Sequence, residues 1–282
     1  LTPKPYLMNK SFIAALYFSA SLPFTGKAQF STGNIFPGAV TGAYSPLHAD
    51  LFSMAQNTAS LSLLKEPALG IQGVRPYLIN ELGQYRIMAA LPTVRGHFGI
   101  RADMRGNGAY RENQLGMAYA RDLGSKLSLG LQFSYNSFRI TGYGQASAPG
   151  VEAGIILHLT EQVHAGIQVR NPFAGKWGPG KSERLPAVYT GGIGYSPSPF
   201  FYGSMEVEKE EDQPVGLSFS LQYKPVTRFL FRAGMGSRAS SAWVAVGFQL
   251  SRCRIDICSA FHPQLGITPG LAVLFHFKKS VK

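Results

Sequence analysis

Three histidines (His97, His158, His164), five clustered acids (Glu206, Glu208, Glu210, Glu211, Asp212) and two cysteines (Cys253, Cys258) are the side chains here whose types could do chemistry. Nucleophilic catalysis needs a base beside an activated Ser or Cys, and no nucleophile-elbow motif of the Gly-x-Ser-x-Gly kind accompanies the histidines. A metal centre needs ligands at spacings such as His-x-x-x-His or Cys-x-x-Cys, and neither occurs, so no metal and no cofactor is expected. The three histidines fall on the inward phase of strands identified below, where a polar group bonded to its neighbours is the simplest reading. The chain is therefore not expected to be an enzyme. Two cysteines are too few for a disulfide scaffold; they could pair across a turn or remain thiols, and the sequence leaves both open.

The charged residues carry more information. Glu206, Glu208 and Glu210 share one phase of a strand, opposite Met205 and Val207. Arg86, Arg101, Arg105 and Arg232 are predicted on the same interior side. Unpaired charges inside a narrow barrel are costly, so Arg and Glu partners are expected to form a ladder, either structural or gating. Arg86, Arg101, Arg105, Glu206, Glu208 and Arg232 are accordingly the lumen or gate candidates. A loop from Asn171 to Lys181 mixes aromatics, cations and glycines, which makes Phe173, Lys176 and Trp177 candidates for outer-loop contact, or members of an interfacial girdle.

The elements that position these groups are strands. From Lys126 to Ile140, residues Leu127, Leu129, Leu131, Phe133 and Tyr135 alternate with Ser128, Gly130, Gln132, Ser134 and Asn136. A helix would mix the two sets around its circumference. Val215 to Lys224 divides in the same way. About fourteen segments of near ten residues follow this pattern, a length that crosses a bilayer when tilted. They centre on 68–79, 84–93, 96–106, 110–122, 126–140, 151–160, 163–170, 186–196, 200–210, 215–224, 228–237, 241–251, 254–262 and 270–279. Tight connections at 91–96, 123–125, 160–162, 197–199 and 224–227 alternate with longer ones at 141–150, 170–186, 209–214 and 263–269, as periplasmic turns and outer loops do in bacterial barrels.

One face of such a sheet is aliphatic and aromatic over its whole extent, more than one small core can cover, whereas lipid can. The expected fold is all-β: a transmembrane antiparallel up-and-down barrel of about 14 strands with a short N-terminal helical segment in its lumen. Its place would be the bacterial outer membrane. Beyond the N-terminal region no apolar run is long enough for a transmembrane helix. The net charge of +12 is scattered rather than clustered, which speaks against nucleic acid and for an anionic lipid surface. Outer-membrane lipid, lipopolysaccharide and the barrel assembly machinery are the partners this implies.

Residues 1–28 read as an over-read start followed by a signal peptide: Met8-Asn9-Lys10 as a basic n-region, Ser11 to Pro23 as an apolar stretch, and Gly26-Lys27-Ala28 as the cleavage site. Residues 29–67 form a plug or periplasmic segment, and 68–282 the barrel. Within the plug, Asp50 to Leu64 has mixed helical spacing with Asp50 as N-cap, and Asp50, Phe52 and Asn57 are the plug candidates. Thr268 to Phe277 approximates the closing strand that assembly machinery recognises.

Three stretches carry a family resemblance: Ala49-Asp50-Leu51-Phe52-Ser53-Met54-Ala55-Gln56-Asn57-Thr58-Ala59-Ser60-Leu61, Tyr119-Ala120-Arg121-Asp122-Leu123-Gly124, and Glu206-Val207-Glu208-Lys209. On these the mature chain resembles the PorV-like branch of the FadL-like outer-membrane barrels common in the Bacteroidota. Where that family usually reads Asn-Pro-Ala-Gly-Leu, this chain has Asn57-Thr58-Ala59-Ser60-Leu61. The resemblance implies fourteen strands and an N-terminal lumen segment. It implies passage or binding of small solutes, hydrophobic ones included, or else a protein-interaction barrel of a type IX secretion or assembly apparatus.

Overall fold

The computed structural model describes residues 42–142, 144–173, 176–177, 183–237 and 242–277. The predicted signal region and residues 29–41 lie outside them. Fourteen antiparallel strands close into one barrel: β1 (Ala68–Val74), β2 (Gln84–Thr93), β3 (Gly96–Asn107), β4 (Tyr110–Leu123), β5 (Leu127–Ile140), β6 (Gly144–His158), β7 (Val163–Arg170), β10 (Val188–Ser198), β11 (Phe201–Glu210), β12 (Gly216–Val226), β13 (Phe229–Gly236), β14 (Ala242–Leu250), β15 (Cys253–His262) and β16 (Gly266–His276). The two remaining strands, β8 (Lys176–Trp177) and β9 (Glu183–Arg184), make a small hairpin in the loop between β7 and β10. Each barrel strand pairs with its sequence neighbour, and β1 closes the ring on β16, from Ala68 opposite His276 to Val74 opposite Gly270. No helix among the described residues is long and apolar enough to cross a membrane.

Alternation decides the two faces. In β5, Ser128, Gly130, Gln132, Ser134 and Asn136 are buried in the lumen, while Leu131, Phe133 and Tyr135 stand exposed on the outside. Met117 and Phe133 remain 67% and 61% exposed, and Ile87, Phe98, Ile167, Leu221, Val244 and Leu271 on other strands are about half-exposed. A water-soluble protein rarely shows a contiguous apolar patch beyond a few hundred Å². An apolar band around the full circumference is the surface that hydrocarbon covers.

Connections at 94–95, 124–126, 159–162, 199–200, 227–228 and 251–252 are all tight and share one end of the barrel with both chain ends of the sheet. That is the periplasmic end in bacterial barrels. The other end carries the longer links, chief among them 75–83 and 171–187.

Three expected boundaries are corrected. The first strand, expected to run to residue 79, stops at Val74. Pro76 cannot donate to a ladder, and Tyr77 and Leu78 adopt positive φ, so the chain turns through two short 3-10 helices instead. The expected loop 141–150 is largely strand, because Gly144 pairs with Ile140 and the β5–β6 hairpin extends beyond β7, whose pairing with β6 ends at Glu152. The 263–269 loop shrinks likewise to 263–265, since β16 starts at Gly266. Cys253 and Cys258 lie on opposite faces of β15 and are free thiols.

Candidate functional site: a plugged lumen

The segment before β1 sits inside the barrel. In place of the one helix expected from Asp50 to Leu64, it forms two 3-10 helices, Leu51–Ala55 and Thr58–Leu63, broken at Gln56 and Asn57. Each has its own cap. The Asp50 carboxylate accepts from the backbone N–H groups of Phe52 and Ser53, and the Asn57 amide oxygen accepts from Ala59 N at 2.9 Å. Two competing capping residues seven positions apart split the segment into two short turns.

Its docking is largely apolar. Leu51, Phe52, Met54 and Leu61 are fully buried against Met88, Ala90, Ala118, Ala120 and Leu274 of the wall. Each such side chain contributes about 1.5–3 kcal/mol on burial, more than a cap supplies. The wall makes room with inward-facing glycines. A Cβ at Gly130 would meet the backbone of Thr58 and Ala59, and one at Gly154 would meet the Asn57 side chain and Gln168. A ring needs the same room, since a Cβ at Gly166 would stand 2.5 Å from Tyr44.

Polar contacts then fix the plug in register. Asn57 Nδ2 donates to the carbonyls of Ile155 and Ile167. Thr58 N donates to Gln168 Oε1, whose Nε2 donates back to Thr58 Oγ1, both at 3.1 Å. Tyr44 Oη donates to Glu206 Oε1 at 2.7 Å, and Gln56 Nε2 reaches the same oxygen. His48 lies between two partners: its Nε2 meets the Ser198 carbonyl at 3.1 Å, and Gln222 Nε2 meets its Nδ1 at 2.9 Å. A carbonyl only accepts, so Nε2 carries the proton and Nδ1 is the acceptor for Gln222. Burial, above all, holds this imidazole below its ordinary value.

The gate candidates are all on lumen phases, and the arginines pair with partners other than those expected. Arg86 grips Asp103 through two hydrogen bonds of 2.6 and 3.0 Å. Arg101 pairs with Asp103 at 3.3 Å and with Glu152 at 2.9 Å, and Glu152 also accepts from Gln132 and Gln168. Gln168 holds the plug, so one network runs from Arg86 of β2 round the wall to β7 and on to Thr58. Arg105 faces Glu112 at 4.0 Å. Arg232 and Arg254 share Asp256, and Arg254 extends to the plug residue Asp50. Among the acids, Glu208 pairs with Arg170 at 3.0 Å, whereas Glu206 receives the plug donors Tyr44 and Gln56. Arg86, Arg101, Arg105 and Arg232 thus meet Asp103, Glu152, Glu112 and Asp256 of the lumen wall, on strands one to three places away, rather than the glutamates of β11.

Sequence reasoning missed Asp103, Glu152, Arg254 and Asp256, although each stands on the inward phase of its strand. Of the outer-loop candidates, Phe173 is 84% exposed, and Lys176-Trp177 is the first strand of the β8–β9 hairpin. His97, His158 and His164 reach the lumen at the short-turn end, where His158 Nδ1 and His164 Nδ1 approach to 3.0 Å. Among the described residues no three metal-ligating side chains converge.

The lumen is not uniform. Along β2 to β7 its wall residues are buried, whereas in the outer half of β11 to β14 Ser204, Glu206, Glu208, Ser218, Ser220 and Trp243 stay partly exposed. Ser204 and Ser220 bond to each other at 2.6 Å, and the Trp243 indole covers Gly234.

No family model matches the chain. No curated protein gives a significant match either. Solved structures do. A Pseudomonas putida toluene transporter, TodX, aligns at 13% identity and TM-score 0.59 over 87% of this chain and 100% of its own. A Pseudomonas aeruginosa FadL homologue aligns at 11% identity and TM-score 0.60 over 86% and 99%. A TodX deltaS2S3 mutant, a monoaromatic hydrocarbon channel, gives 11% identity and TM-score 0.61 over 82% and 95%. At these identities the likeness establishes the fold: a closed 14-strand antiparallel barrel of the kind built by FadL-type outer-membrane proteins.

Proposed function

We propose that this chain is a bacterial outer-membrane barrel that passes or binds a small solute, hydrophobic compounds included, with the N-terminal plug and the lumen groups as its gate. The observation that carries this reading is the plug itself: a segment held in the lumen by apolar burial, two caps and separate polar contacts, inside a barrel whose fold is shared with hydrocarbon channels. Ser128 Oγ does lie 3.1 Å from His158 Nε2, but its proton is directed to Asp122 Oδ1 at 2.6 Å, and the TodX structures named above are a transporter and a channel rather than enzymes. Outer-membrane lipid and lipopolysaccharide would surround the apolar band, and barrel assembly machinery would insert it. The partly exposed row on β11 to β14 is the side on which a solute can pass Gln56 and Glu206.

The test is uptake of toluene into liposomes carrying the purified chain, with and without residues 29–66. Uptake above empty liposomes, raised by removal of the segment, is the expected result; background values in both overturn the reading. The finer PorV-like assignment, a secretion or assembly barrel, is the less favoured alternative. Affinity purification from native membranes tests it, and recovery of the barrel alone counts against it.

A further inference from the structure

The short-turn mouth holds a cavity of about 1210 Å³, and the function proposed above assigns it no role. Its apolar lining comes from Leu47, Leu63 and Leu159, with prolines from the turns; Leu47 and Leu159 are both more than half-exposed. The charged groups that line it are Lys65, Lys126, Asp122 and Glu161, two of each sign. A balanced rim provides no net field that would favour an ion over a neutral molecule.

One wall carries a hydrogen-bond chain whose direction is fixed by chemistry. Ser62 of the plug and Ser128 of β5 both reach Asp122 Oδ1 at 2.6 Å. An ionised carboxylate only accepts, so Ser128 spends its single proton there. Ser128 Oγ must then accept from His158 Nε2, 3.1 Å away. A neutral His158 protonated on Nε2 offers a lone pair at Nδ1, so His164 donates from its own Nδ1 across 3.0 Å. His164 is thereby left with an unprotonated Nε2, which is buried at the cavity wall without a partner. At the other end Asp122, an exposed residue, keeps Oδ2 as a further acceptor. Both ends of the chain accept.

We infer that this mouth is a binding station for a neutral, largely apolar molecule bearing one hydroxyl, a phenol or an alcohol, whose proton is received by the Asp122–Ser128–His158–His164 chain. The inference deepens the transport reading, since it names a class of solute and the place where it is held on the short-turn side.

The test uses the full chain in lipid nanodiscs with nitrogen-15-labelled histidine and 1-naphthol as the probe, empty nanodiscs serving as the partition reference. NMR is expected to show the Nδ1–H tautomer for His164 and the Nε2–H tautomer for His158. Titration with 1-naphthol should shift both saturably, while naphthalene and 1-naphthoate bind at least about tenfold more weakly, the difference one hydrogen bond to a charged group makes. Asp122→Asn, at an exposed position, should weaken 1-naphthol by a similar factor with the fold intact, as judged by the heat-dependent gel mobility of the barrel. The opposite tautomers, no saturable shift, or equal binding of naphthalene would each overturn the inference. Toluene uptake without naphthol binding would sink this station and leave transport standing; binding without uptake would do the reverse.

Discussion

The two sides of the lumen are built from similar residues and differ in how they are satisfied. On β2 to β7, Arg86, Asp103, Arg101 and Glu152 are buried and bonded to one another and, through Gln168, to the plug. On β11 to β14, Ser204, Glu206, Ser218, Ser220 and Trp243 line the outer half and are only partly covered. A buried charge is tolerated only when its partners are in place, so the first side is a rigid frame that fixes the plug. The second side leaves its polar groups in contact with solvent, and repacking there costs little. A gate needs both: a fixed abutment and a face along which material moves.

That contrast can be broken from either side. Arg101→Met leaves Glu152 in the interior without its cation and Asp103 with Arg86 alone, and should lower stability by about 3–5 kcal/mol, measured by urea unfolding in liposomes. Gly130→Val, whose side chain would enter the plug backbone, should cost about 1–3 kcal/mol and raise hydrogen exchange across residues 57–63 while the barrel persists on gels. Asp50→Ala removes a cap and one of the two carboxylates facing Arg254, and about 1–2 kcal/mol of plug docking should go with it, read from exchange at Phe52 and Ser53. Trp243→Ala on the open side should change stability by less than about 0.5 kcal/mol yet alter toluene uptake. If the tryptophan variant proves as destabilising as the arginine variant, the two sides are not distinct.

Acidification sharpens the comparison further. Because burial keeps the His48 imidazole below 6.5, the released plug takes up a proton before the docked one as the pH falls. The contribution of His48 is complete above that value and is lost as the pH drops through the lower value of the docked state. Exchange at residues 44–48 should therefore rise between pH 7.5 and 5 in the native chain, and His48→Gln should flatten the dependence. Equal pH dependence in both chains would remove His48 as the cause.

Much of the barrel was readable in advance because a strand's period of two converts burial directly into sequence. Leu131, Phe133 and Tyr135 against Gln132, Ser134 and Asn136 name both faces without a structure. The plug was readable only in part. Asp50 and Asn57 are both good caps, and the spacing of Leu51, Met54 and Leu61 suits one helix or two; the wall glycines that admit two tight turns, Gly130 and Gly154, stand far along the chain on β5 and β6. The charged network was less legible again, since the inward phase marked Arg86, Arg101, Arg105 and Arg232 but not which carboxylate each would meet.

What the linear chain determined was the alternation, the tight turns and hence a closed sheet with an apolar exterior, all set by neighbours a few residues apart. Partner choice inside the lumen was decided by tertiary structure alone. Asp50 meets Arg254, Tyr44 meets Glu206 and Ser62 meets Asp122 only after the ring has closed, because strand register and the depth of the plug fix which inward groups share a level.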